Sequence, residues 1–118
     1  MTKEELKERT MSFAVRVLKM VDAMPKTVSG RTVANQVARS ACSVASNYRA
    51  ALRGKSRADF INKITTVLEE ADESALWIEL SQRAGLLSAK RTDKLLCEAI
   101  ELTKIFNATR TTAGNHKS

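Results

Sequence analysis

Apolar residues recur at helical spacing along nearly the whole chain, and the pattern breaks at only three short places. A first helix starts after Thr2, whose hydroxyl can cap free N–H groups while Glu5 reaches back. It runs to about Ala23, with Leu6, Phe13, Val17 and Met20 as its apolar stripe. "MPKTVSG" stops it, because Pro25 lacks the N–H that a helix interior needs and biases Met24 away from helical angles; Gly30 closes the loop. A second helix is predicted from about Arg31 to Arg53, with Val33, Val37, Ala41, Val44, Tyr48 and Leu52 along one side and Gly54 as a left-handed cap. Ser56 and Asp59 open a third helix, periodic from Phe60 to Ala84 and closed by Gly85. Ser88 caps a fourth that packs Leu95, Leu96, Ala99, Leu102 and Phe106 and fades into "RTTAGNHKS". Four helices with short connections predict an all-α, antiparallel up-and-down four-helix bundle over residues 1–111, with 112–118 as a polar, mobile tail.

Composition agrees with this picture. The chain has 118 residues, enough for one domain with its own core, and its one Pro and four Gly leave few helix breakers. Lys and Arg number 20 against 13 Asp and Glu, a net charge of +7 that favours polyanionic partners. Neither the polar N-terminal "MTKEELKER" nor any later stretch has the apolar run of a signal peptide or a membrane span, so a soluble cytoplasmic protein is expected. Cys42 and Cys97, among small or apolar neighbours, read as reduced and mostly buried thiols.

The outer faces of the second and third helices differ. Opposite its core stripe the second carries Arg31, Arg39, Arg49 and Arg53 over about 33 Å, and Lys55 and Arg57 continue the positive charge into the turn. Such a row can displace counterions from a nucleic acid, giving binding that weakens steeply with salt; the alternative is a solvated face. On the third helix Phe60, Ile64, Val67, Leu68, Ala71, Ala75 and Ile78 face the core, whereas Glu69, Glu73, Leu76 and Leu80 lie on the far side, with Trp77 at their edge. Two leucines there suit a subunit interface, unless the fourth helix or the tail covers them. Arg39 or Arg49 of one subunit would then meet Glu69 or Glu73 of another, joining two different surfaces.

Catalytic chemistry finds no support. The carboxylates of "LEEADES" lack the Glu-x-x-His partners of a bundle metal site, and the one histidine, His116, lies in the tail, so no metal or cofactor is expected. Neither cysteine has an obvious activating base, and no Gly-rich phosphate loop is present. Trp77 and Tyr48 are isolated, which argues against a base-stacking platform.

Residues 24–80 resemble a bacterial four-helix-bundle family of proteins encoded in intervening sequences of 23S ribosomal RNA genes. The resemblance rests on the Pro25-Lys26 turn, Gln36, Arg39-Ser40-Ala41, Ser43-Val44, Asn47-Tyr48, Ser56 followed by Phe60, and the run from "EEADES" to "WIEL". It implies a subunit that assembles into a ring, typically a homopentamer. It also implies a distant relative among accessory proteins of diversity-generating retroelements, and engagement of RNA or a reverse transcriptase through a basic surface. Where many members carry an acidic residue after the Asn47 region, this chain has Ala50, which makes the helix more basic.

Together these readings describe a non-enzymatic, ring-forming helical protein. Its candidate nucleic-acid contacts, to RNA or DNA, are Arg31, Arg49, Arg53, Lys55 and Arg57, and its candidate subunit contacts are Arg39, Glu69, Glu73, Leu76, Trp77 and Leu80. The competing reading is an oligomeric scaffold that binds no nucleic acid.

Overall fold

The computed structural model of the chain describes residues 1–115. Its elements are α1 (Lys3–Val21), α2 (Val28–Ala51), α3 (Arg57–Arg83) and α4 (Ala89–Asn115). Each helix packs on the next and α4 returns to α1, while the backbones of the diagonal pairs stay apart, which is the square arrangement of an up-and-down bundle. The packing is uneven: α2 lies closely on α1 and α3, and α3 on α4, but the α1–α4 seam is sparse.

Side-chain caps set most of the boundaries. Thr2 and Glu5 form the reciprocal capping box, with Glu5 N donating to the Thr2 hydroxyl at 3.0 Å. Ser56 accepts from Asp59 N at 3.0 Å, and Ser88 from Arg91 N at 3.3 Å. The start of α2 differs from expectation. Thr27 is its cap, accepting from Gly30 N at 3.1 Å, so the helix begins at Val28 and Gly30 sits in its first turn. The glycine is required there by space, because a Cβ on Gly30 would lie 2.0 Å from the carbonyl oxygen of Pro25.

The two other glycine expectations divide. Gly85 has φ 70°, and beside it Leu86 N donates to Ser81 O at 2.9 Å and Gly85 N to Gln82 O at 3.1 Å, a Schellman ending for α3. Gly54 is not left-handed. Its N–H donates to Ala51 O at 3.0 Å in a right-handed final turn that ends α2 two residues earlier than expected. At the other extreme α4 runs to Asn115, so residues 112–115 are helical where a tail was expected from 112. Ala113 is half-buried, and the Thr111 hydroxyl bonds Asn107 O at 3.0 Å. His116 and the rest of the expected tail lie outside the described residues.

The core is a continuous column. Phe13 and Val17 of α1, Val37 and Val44 of α2, Ile64, Val67 and Ile78 of α3, and Leu102 and Phe106 of α4 are fully buried. Tyr48 tilts over Phe106 with ring centroids 5.3 Å apart. Met24, Val33 and Leu87 close one end beneath the Pro25 turn. Small residues let α2 and α3 approach closely: Ser40 and Ser74 are fully buried and bond each other at 2.8 Å, beside Ala41 and Ala71. Every buried side-chain polar atom among the described residues has a partner.

Candidate interaction surfaces

The core stripe of α2 fixes where its arginines go, and the structure splits them. Arg49 in the last turn of α2, Arg53 and Lys55 in the turn that follows, and Arg57 at the start of α3 lie close together in the chain, and all four are exposed. Arg31 stands at the other end, about 27 Å along the helix axis from Arg49, with its guanidinium donating to Lys26 O at 3.0 Å. None of these five side chains pairs with a carboxylate among the described residues. Asp59, the nearest acid in sequence, spends its oxygens on Lys63 Nζ at 3.2 Å and the Lys55 backbone N–H at 3.3 Å. These two contacts, Lys63 foremost, hold its carboxyl below the usual range.

Arg39 behaves differently from its neighbours. Its guanidinium bonds Glu70 at 2.8 Å and also Glu73 of the same chain, and Glu73 accepts the Trp77 indole N–H at 3.1 Å. Arg39 and Glu73, expected to reach across subunits, are joined within one subunit. The reason is the close α2–α3 seam at Ser40 and Ser74, which brings the base of a long arginine within reach of the facing helix. Trp77 is half-buried against both apolar clusters. Of the expected interface set, Glu69, Leu76 and Leu80 are exposed, with Leu76 at 54% and Leu80 at 38%. Among the described residues no other helix buries those two leucines.

A second outward apolar surface was not anticipated. Met11, Val15 and Leu18 of α1 are 46%, 42% and 44% exposed. They face Cys42, Ala45 and Ser46 of α2 across a groove of about 410 Å³, with Arg49 and Arg53 at one end. Cys42 is therefore exposed in this groove, and Cys97 is exposed on α4, where both had been expected in the core. Cys42 lies one residue, about 100° of helix turn, from the core residue Ala41, and Cys97 lies two residues, about 200°, from the core residue Ala99.

Among the described residues no group of three or more His, Cys, Asp or Glu side chains could hold a metal ion. The acidic run of α3 is divided between Glu70 and Glu73, bound by Arg39, and Glu69 and Asp72, which are exposed. No described helix is long and apolar enough to cross a membrane.

Comparison with known proteins places this arrangement. The family model described as "23S rRNA-intervening sequence protein" matches residues 2–108. The chain is also similar to the crystal structure of a protein of unknown function from the S23 ribosomal protein family of Bacteroides thetaiotaomicron. The TM-score is 0.80 and the identity 29%, over 88% of this chain and 96% of that one. No curated protein matches the chain significantly.

Proposed function

Since the chain belongs to the family of 23S rRNA-intervening sequence proteins, we propose that it is a non-enzymatic assembly unit. In this reading it joins copies of itself head to tail into a ring and holds nucleic acid on the basic end of the bundle. The observation that carries the assembly is the pairing of two exposed apolar surfaces with opposite charge. On α3, Leu80 and Leu76 continue into exposed Asp72 and Glu69; on α2, Cys42 and Ser46 continue into Arg49 and Arg53. Both stretches run about three turns, about 16.5 Å. Laid antiparallel, the two leucines of one copy enter the groove beside Val15 and Leu18 of the next, and the two carboxylates reach its two arginines. Burial of the leucines supplies the driving force, and the charges set register and direction.

This contact joins different surfaces, so a joined pair keeps one free ridge and one free groove, and repetition closes a ring or extends a filament. The ring is the form that leaves no apolar surface open. Arg49 and Arg53 then belong to the subunit contact. Lys55 in the turn beyond them and Arg57 at the start of α3 supply the contacts to phosphate, and a ring repeats that pair once per subunit, so weak single contacts add through multivalency. Light scattering on the purified chain tests the assembly, and a monomer at all accessible concentrations would refute it. RNA binding that is steeply salt-dependent and weakened by Lys55→Glu with Arg57→Glu supports the second part, whereas unchanged binding refutes it.

A further inference from the structure

A third surface, on the opposite flank of α1 from the groove, has no role in the assembly. Between the C-terminal half of α1 and the N-terminal half of α4 lies a cleft of about 320 Å³. Arg16 and Lys19 line one wall, Arg91 and Lys94 the other, and Met20 and Leu95 contribute apolar surface. No carboxylate among the described residues lines it. Among the described residues none of the four cations is paired with an acid.

The register of the two helices makes this concentration of charge unusual. Near the start of α1, Arg9 grips Glu98 of α4 with two bonds of 2.7 Å, Nε to Oε2 and Nη2 to Oε1. In an antiparallel pair, seven residues forward on α1 is met by seven residues back on α4. The seam that sets Arg9 against Glu98 therefore sets Arg16 against Arg91, two turns away. Like charges facing each other across a seam are unfavourable, and here the positive end of the α4 dipole adds to them, since its first turn carries no acid. The seam is also the sparsest in the bundle, which leaves the cleft open. Thr92, at its base, is fully buried and its hydroxyl is already committed to Ser88 O at 2.9 Å, so recognition falls to the four cations.

We propose that this cleft binds a phosphate-bearing anion, which would sit between Arg16 and Arg91 and relieve their repulsion. Guanidinium groups on both walls match the oxygens of adjacent phosphates, and the volume is within the range of small-ligand sites. The same chemistry is offered by a free nucleotide, by inorganic polyphosphate and by the backbone of a nucleic acid. The proposal does not rest on the assembly reading, since its residues lie outside both contact surfaces.

Calorimetric titration of the full chain with tripolyphosphate, ATP and a single-stranded oligonucleotide tests it. At least one probe is expected to bind saturably, and Arg16→Gln with Arg91→Gln to weaken that binding by about tenfold or more. Lys55→Gln with Arg57→Gln is expected to leave tripolyphosphate and ATP binding unchanged. Binding of the short phosphates identifies a small-molecule source, and binding of the oligonucleotide alone, lost in the Arg16/Arg91 variant, identifies a nucleic-acid backbone. Absence of saturable binding for all three probes, unchanged binding in the Arg16/Arg91 variant, or equal loss of tripolyphosphate or ATP binding in both variants, would overturn the proposal. Both substitutions fall on the surface, and a second readout guards against trivial unfolding: without ligand, Arg16→Gln should raise the melting temperature by removing the repulsion, and a drop would contradict it.

Discussion

Arg39 of α2 and Glu73 of α3 form an ion pair inside one subunit, and Glu70 completes it from the preceding turn at 2.8 Å. The two carboxylates raise the affinity of the guanidinium for its proton, Glu70 contributing most. The pair clamps the α2–α3 seam and commits both residues to contacts within the subunit. Arg39→Ala is therefore expected to lower unfolding free energy by up to about 1 kcal/mol, as for a networked but half-exposed pair, without altering the assembled mass. Urea unfolding beside light scattering checks both halves; dissociation at unchanged stability would return Arg39 to the interface.

The Pro25 turn makes a second prediction. Gly30 lies against the Pro25 carbonyl, and Gly85 has a positive φ with open space around its Cβ position. Gly30→Ala must push the turn away from α2 and should cost about 1–3 kcal/mol. Gly85→Ala carries only the left-handed backbone penalty, about 1 kcal/mol. Denaturant midpoints for the two variants rank them, and a Gly30→Ala protein as stable as wild type would show that the turn relaxes freely.

Asp59 gives a pH dependence of definite sign. Lys63 and then the Lys55 N–H hold its carboxyl below the ordinary value of about 3.9. A carboxylate whose folded pKa is depressed stabilises the fold above its unfolded pKa, and that contribution is lost as pH falls through the folded value. An NMR titration should find the Asp59 midpoint below that of an unfolded aspartate, and Lys63→Ala should move it upward. A wild-type midpoint at or above the ordinary value would remove the contact.

Helix existence was readable because local chemistry decides it. Thr2 with Glu5, Ser56 with Asp59, and Ser88 act on backbone groups within one turn, and the structure uses all of them. The start of α2 was misplaced because Thr27, two residues after a proline, reads equally as loop and as cap. Surfaces were harder. Leu76 and Leu80 stood out because α3 already had a complete core face. Met11, Val15 and Leu18 share the same i, i+4, i+7 logic, but on α1 they are compatible with a wider buried face, and only the position of α2 shows that they are left outside. A helical wheel gives a direction for Arg39, yet its partners depend on how near α3 comes, which Ser40 and Ser74 determine. The Arg16–Arg91 juxtaposition was likewise invisible, since it depends on the register of helices far apart in sequence.

The central claim is that one surface of each copy docks into a different surface of the next, and a mixing experiment tests it most directly. Leu76→Glu with Leu80→Glu disables the ridge, and Val15→Glu with Leu18→Glu disables the groove; these residues are exposed, so both proteins should fold. Light scattering should find each variant monomeric alone, because neither retains both halves of the contact. An equimolar mixture should form a heterodimer of twice the monomer mass, in which the intact ridge of one variant fills the intact groove of the other. A mixture that stays monomeric, or either variant that still assembles alone, would contradict the account.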